Sequence, residues 1–234
     1  MALLLLVTLS SGASQYTYRS VYCNAEVGSP AFVLIYRTVG IVAAVVDVRS
    51  SARESLLSAA AELTYERGIT ATGVDAIVNA AGVTKRTLYQ HFGSKDALVA
   101  ASLEARDAAA IQSLRAAAQK RAKRTGEPVI LALFDVIDTV LSSSATAGCA
   151  FLNAALEIGG PEHPVRQAAL HHLRSRERLV GEMLAQSGCA TEDLTAQISL
   201  LVDGAFAVAG SGRDPRAARR AKDAARALLA GATR

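Results

Sequence analysis

From Ala52 onward, apolar residues return at spacings of three and four, and Gly, Pro and Ser/Thr interrupt the runs. That rhythm predicts helices over residues 52–67, 74–81, 85–91, 95–124, 128–144, 148–158, 164–187, 192–209 and 215–230. Pro128, Pro161, Pro164 and Pro215 stand at or near predicted starts, where a missing N–H costs nothing. No Val/Ile/Thr-rich alternating strand competes after residue 50, so the expected fold class is all-α.

The first fifty residues follow another pattern. Met1 to Leu9 is almost wholly apolar and runs into Ser10, Ser11, Gly12 and Ala13, which imitates a secretory signal, yet no Lys or Arg precedes Arg19. A second apolar run, Val39 to Val46, falls far short of the roughly 20 residues needed to span a bilayer. Between them, Gln15 to Tyr36 mixes Tyr, Ser, Asn, Gly and Pro without helical periodicity. An export signal, a genuine N-terminal arm and translated sequence ahead of the true start are the three readings of this region.

Composition narrows the class. Of 234 residues, 51% are hydrophobic but only 5% aromatic, with no Trp, so the apolar content is mainly Ala, Leu and Val, as in Ala-rich helical packing. Cys23, Cys149 and Cys189 offer neither a CxxC pair nor an even set, which excludes a disulfide framework and fits a reducing cytosol. His171 and His172 point about 100° apart on a helix, unsuited to one metal. No metal site, cofactor or catalytic group is expected. The net charge of +4 is local: Arg53 to Arg124 holds eleven Lys/Arg against seven Asp/Glu. A positive excess confined to one region fits a polyanionic partner there.

That region contains TGVDAIVNAAGVTKRTLYQHFGSKDAL, Thr72 to Leu98. Thr72 followed three residues later by Asp75 reads as a capping-box-like start. Val74, Ile77, Val78 and Ala81 form a buried face of two turns, and Gly82 is placed to end the helix in a left-handed turn. Thr84 caps the next helix, whose Leu88 and Phe92 face inward. Outward lie Lys85, Arg86, Thr87, Tyr89, Gln90 and His91, all hydrogen-bond donors and none acidic. An apolar back and a donor-rich front suit a major groove with acceptor edges between phosphates. Lys95 sits in the first turn of the following helix, where the macrodipole disfavours a cation, so a phosphate oxygen is its expected partner.

On AAAELTYERG, AIVNAAGVTKRTLYQHF and GSKDAL, from about Arg53 to Leu98, the chain resembles the TetR (tetracycline-repressor) family of bacterial transcription regulators. The resemblance implies a recognition helix at Thr84 to His91, with Lys85, Arg86 and Thr87 near base edges. Thr84, Tyr89, His91 and Lys95 would meet the phosphate backbone. Thr64 stands where that family usually has Phe, and Val78 where it usually has Ala. It also implies a DNA-binding domain at the N-terminus of the protein. Val45, Val46 and Val48 can each be encoded by GTG, an alternative bacterial start, so residues 1–45 are expected to lie largely outside the natural protein.

The expected organisation is a leader over 1–50, either a mis-assigned start or a disordered arm, then a three-helix helix-turn-helix domain over 51–98. A helical bundle for ligand binding and dimerisation follows over 99–234. Residues 125–234 carry no GxSxG, HExxH or glycine-rich phosphate loop. A small, largely apolar effector of unspecified identity is expected in a core built around Leu131, Phe134, Phe151, Leu156 and Phe206. Leu194, Ile198, Leu201, Val202, Ala205, Phe206 and Ala209 make one stripe, and Ala217, Ala218, Ala221, Ala225, Leu228 and Leu229 another. By resemblance, helices 192–209 and 215–230 pair across a two-fold axis. The resulting expectation is a cytoplasmic, ligand-responsive repressor binding a palindromic double-stranded operator as a homodimer, without a membrane. An exported or membrane-attached helical protein is the rival if the leader is real, and a helical enzyme using Glu157 or His171 is another.

Overall fold

The structure, a computed structural model, describes residues 6–11, 14–23, 31–34, 51–142 and 148–232. It divides into two compact units, 1–51 and 52–234. In the first, strands β1 (Leu6–Ser11), β2 (Ser14–Cys23) and β3 (Ala31–Leu34) form an antiparallel sheet in the order β1-β2-β3. Leu6 pairs with Arg19 and Ser20 with Leu34. These strands are not among the elements expected from the sequence, although Tyr, Thr and Val are frequent in this stretch, as strands favour. Residues 35–50, which include the expected start near Val45 to Val48, lie outside the described residues.

The second unit is all-α. It comprises α1 (Ala52–Arg67), α2 (Val74–Ala81), α3 (Lys85–Phe92), α4 (Lys95–Thr125) and α5 (Val129–Ser142). There follow α6 (Ala150–Glu157), α7 (Pro164–Ala185), α8 (Glu192–Gly210) and α9 (Ala217–Ala232). All nine expected helices are present, with ends displaced by at most two residues. The exception is the expected end at 144, which falls outside the described residues. No helix among the described residues is long and apolar enough to cross a membrane.

Two hydrophobic cores organise this unit. The smaller joins Leu56, Ala59 and Ala60 of α1, Ile77 and Val78 of α2, Leu88 of α3 and Leu98 of α4. The larger joins α4 to α9 around Val99, Leu103, Ile130, Phe134, Ile137, Leu179, Met183 and Ile198. Helix α4 serves both. Its 31 residues extend about 46 Å at 1.5 Å per residue, with Leu98 in the smaller core and Ala118 in the larger. Helix α5 is buried on nearly every side from Val129 to Phe134, as a central helix must be.

Inside the larger core, His172 and Arg176 face polar partners one turn apart on α7. His172 Nδ1 lies 2.7 Å from Asp107 Oδ1, and its ring stacks on Phe151 at 3.5 Å between centroids. Burial pushes the His172 pKa below its ordinary value, more than its hydrogen bond to Asp107 raises it. Arg176 pairs with Asp203 of α8 and lies over the Phe206 ring at 5.1 Å. Buried charges of this kind are tolerated because they are paired.

The stripes expected at a dimer interface are used inside the monomer. Leu194, Ile198, Val202, Ala205 and Phe206 of α8 are at most 6% exposed. Ala217, Ala218, Ala221 and Ala225 of α9 are equally hidden, packed on α5 and α8. Lys222 reinforces that docking with bonds of 2.7 Å to Glu127 and 2.9 Å to Asp135. The face of α8 left outside runs through Ala196, Leu200, Gly204 and Ala207, and Leu200 is 71% exposed. A nonpolar stripe announces that a helix packs, not against which chain it packs.

Candidate nucleic-acid interface

Helix α2 starts at Val74 with Gly73 at the N-cap and no side-chain cap. The expected Thr72 cap does not form. Thr72 is 1% exposed, and its hydroxyl donates instead to the carbonyls of Gly68 at 2.6 Å and Leu63 at 3.2 Å. A buried hydroxyl must find a partner, and that need outweighs a helix end that water can reach. The turn after α2 forms as expected. Gly82 has φ 66°, and the Val83 N–H bonds the Val78 carbonyl at 3.0 Å, the 6→1 bond of a Schellman ending.

Helix α3 opens with Thr84, whose hydroxyl accepts from the Thr87 N–H at 3.2 Å. Leu88 is fully buried and pins the helix to α1 and α2, while Phe92 is half-buried under the Arg53 guanidinium at 5.3 Å. Lys85, Arg86, Tyr89, Gln90 and His91 are exposed, and Thr87 is half-buried with its hydroxyl 2.9 Å from that of Thr84. Six of the seven expected contact residues, Thr84, Lys85, Arg86, Thr87, Tyr89 and His91, therefore share one short helix and its cap.

Their partners differ. Arg86 makes no ion pair or hydrogen bond among the described residues, so all five guanidinium N–H groups stay available. Lys85 is engaged: its ammonium is 2.8 Å from Asp75 of α2, and the hydrogen bond to that carboxylate raises the Lys85 pKa. Both side chains are exposed, so a phosphate can compete for the lysine. The donor helix itself carries no acid, but its neighbour supplies one.

Lys95, the seventh, has internal partners. Its ammonium donates to the carbonyls of Ile69 at 2.9 Å and Thr72 at 3.1 Å. Two charge-assisted bonds offset the unfavourable position at a helix N-terminus, a local value that the sequence did not disclose. Helix α4 is capped beside it by Ser94, which accepts from the Ala97 N–H at 3.0 Å.

Of the five residues expected around the effector, four are buried and one is not, and Phe151 alone of them lines the cavity between α1, α4 and α6. Leu131, Phe134, Phe151 and Phe206 are at most 7% exposed, but Leu156 is 75% exposed. Helix α6 buries Phe151, Ala154 and Ala155, and one further step of 100° turns residue 156 to solvent. Phe151 lines a cavity of about 260 Å³ between α1, α4 and α6, together with Thr64, Val99, Leu103 and Ala154. Thr64 bends its hydroxyl back to the Ala60 carbonyl at 2.7 Å. Glu157 also lines this cavity and reaches the α1–α2 loop. His171 is exposed, with Nε2 3.4 Å from Asp107 of α4, whereas its neighbour His172 is buried.

Residues 56–102 match the family model described as bacterial regulatory proteins, tetR family. Over 56 residues the chain is 48% identical to the transcriptional activator FasR of Mycolicibacterium smegmatis, a match covering 24% of this chain and 26% of that protein. Over 51 residues it is 47% identical to the transcriptional repressor KstR2 of Rhodococcus jostii, covering 22% and 25%. The chain thus spans about a quarter of the length of these curated relatives. Its likeness to a solved TetR transcriptional regulator of Streptomyces avermitilis runs much further, with 33% identity and a TM-score of 0.65 over 75% of this chain and 98% of that one. A shared fold and a third of the residues across nearly a whole regulator go beyond a shared motif: the chain belongs to the TetR family of bacterial regulatory proteins.

Proposed function

We propose that this protein is a cytoplasmic, effector-responsive repressor that binds a palindromic operator as a homodimer. Residues 51–98 read DNA, and residues 99–234 bind the effector and pair the subunits. The observation that carries the reading is the open donor face of α3, with Arg86 unpaired among the described residues above a helix pinned by Leu88. A guanidinium so presented matches O6 and N7 of guanine, while Thr84, Tyr89, His91 and the third N–H of Lys95 suit flanking phosphates. Two such helices about 34 Å apart enter successive major grooves.

The second copy docks on the outer face of α8 around Leu200, with α9 alongside; Asp193 and Asp203 flank that face, and Asp203 is already paired with Arg176. An exposed leucine among alanines and glycine loses apolar surface there. The effector is a small, largely apolar molecule held near Phe151, and it acts by binding the DNA-incompetent state more tightly. The deciding experiment is a titration of purified protein against a palindromic duplex and its scrambled counterpart. Specific retardation by a dimer is expected, and equal affinity for both duplexes overturns the reading. A reporter placed behind the operator should fall on addition of the protein.

A further inference from the structure

The loop of residues 68–73 joins α1 to α2, and through the turn at Gly82 its position governs α3. It is gripped from two directions. From the C-terminal core, Glu157 at the end of α6 accepts the Ile69 N–H on Oε2 at 2.9 Å and the Thr70 N–H on Oε1 at 2.7 Å. From the start of α4, Lys95 holds the Ile69 and Thr72 carbonyls. The loop is shaped for this grip. Gly68 has φ 86°, and a Cβ there would come within 3.3 Å of Glu157 Oε2, so a larger residue would meet both backbone strain and a crowded carboxylate.

Ile69 shows which half owns the loop. It is 4% exposed and packs in the larger core with Val99 and Phe151, not in the smaller core of the helix-turn-helix unit. The Glu157 carboxyl is held below the usual range: burial raises it, but the N–H groups of Thr70 and Ile69 and the charge of Lys95 outweigh that. The grip is therefore charge-assisted at neutral pH. Nearby, Tyr65 of α1 donates to the Gly148 carbonyl at 3.0 Å, a second tie between the two halves.

We propose that Glu157 is a positioning residue for DNA reading, the point through which α6 sets the pose of the helix-turn-helix unit and hence the spacing of the two recognition helices in the dimer. The inference rests on the DNA-binding reading above. A movement of α6 that frees the carboxylate releases the loop; one that keeps the bonds carries the loop with it.

The test uses the full chain and Glu157→Gln, which keeps the shape but loses the charge and sets an NH2 group against one of the two backbone N–H donors. Because Glu157 is exposed, the variant is expected to fold, and an unchanged thermal midpoint checks this. The Ile69 and Thr70 amides should exchange with deuterium roughly tenfold faster than in the wild type, with the rest of the protein unaffected. Palindromes with spacers lengthened or shortened by one base pair supply a readout that a merely structural role would not move. Wild type should discriminate among them about tenfold or more, and the variant no more than about threefold. Unchanged exchange at Ile69 and Thr70, or faster exchange with full spacer selectivity, overturns the proposal. A wild type indifferent to operator sequence removes the DNA reading, and this inference with it, whatever the exchange shows.

Discussion

Helices α3 and α8 are built alike and left open in opposite chemistry. Each buries one face in its own monomer, α3 through Leu88 and α8 through Ile198, Val202, Ala205 and Phe206. Each presents the other face outward. On α3 that face is Lys85, Arg86, Tyr89, Gln90 and His91, which water solvates well in the absence of a partner. On α8 it is Ala196, Leu200, Gly204 and Ala207, which water solvates poorly. The kind of partner is thus written in what remains after the monomer core has taken its share. The buried stripe, which dominates the sequence pattern, says little about it.

The largest effect should come from confusing the two sides of α8. Phe206 lies in the monomer core against Arg176, so Phe206→Ala should cost about 3–5 kcal/mol of folding stability, measured by denaturant titration. A stable, fully folded Phe206→Ala that merely dissociates would return this residue to the interface. Leu200→Glu should do the reverse. It adds a charge to the outer face and should weaken dimerisation about a hundredfold while helix content stays intact. Sedimentation equilibrium checks it, and a persistent dimer would mean that the second copy docks elsewhere.

On α3 the corresponding break is Arg86→Ala. Removing an unengaged guanidinium leaves no orphan inside the protein, so the fold should not respond. Binding should lose roughly 1–3 kcal/mol, concentrated at one base pair. Operators substituted singly at each position would locate that loss. A uniform loss across all of them would assign Arg86 to the phosphates and pass base reading to Lys85.

Why one half was easier to read follows from the range of the interactions. The Gly82 turn, the Thr84 cap and the inward Leu88 each depend on residues within about five positions, and all stand where local pattern puts them. Glu157 and Ile69 are 88 positions apart, and Lys95 and Ile69 are 26 apart, so no local period links them. Thr72 shows local and distant signals in conflict: its spacing to Asp75 suggested a cap, but burial against Leu63 and Gly68 decided otherwise. On α7, His172 and Arg176 interrupt an apolar face four residues apart, and that signal was available; their partners Asp107 and Asp203 on other helices were not. For Leu156, an Ala-rich helix offered two candidate faces, and only packing chose between them.

The smallest expected effect tests whether the polar face of α3 is as open as it looks. Lys85 points outward but is held by Asp75 at 2.8 Å, so to meet DNA it must first leave that carboxylate. Both groups are solvated, which makes the pair weak and strongly dependent on salt. Asp75→Asn removes the competing charge while keeping the side chain's shape, and folding stability should hardly change. DNA affinity should rise roughly two- to fivefold at low salt, because the lysine no longer has to be withdrawn and a negative charge near the phosphates is gone. The gain should shrink as salt rises and the pair is screened in the free protein. Titrations at several salt concentrations would measure it. An unchanged affinity would mean that Lys85 stays on Asp75 in the complex and contributes nothing to the contact, leaving Arg86 as the principal cation of the recognition helix; a lower affinity would show that Asp75 orients Lys85 for its contact rather than competing with it.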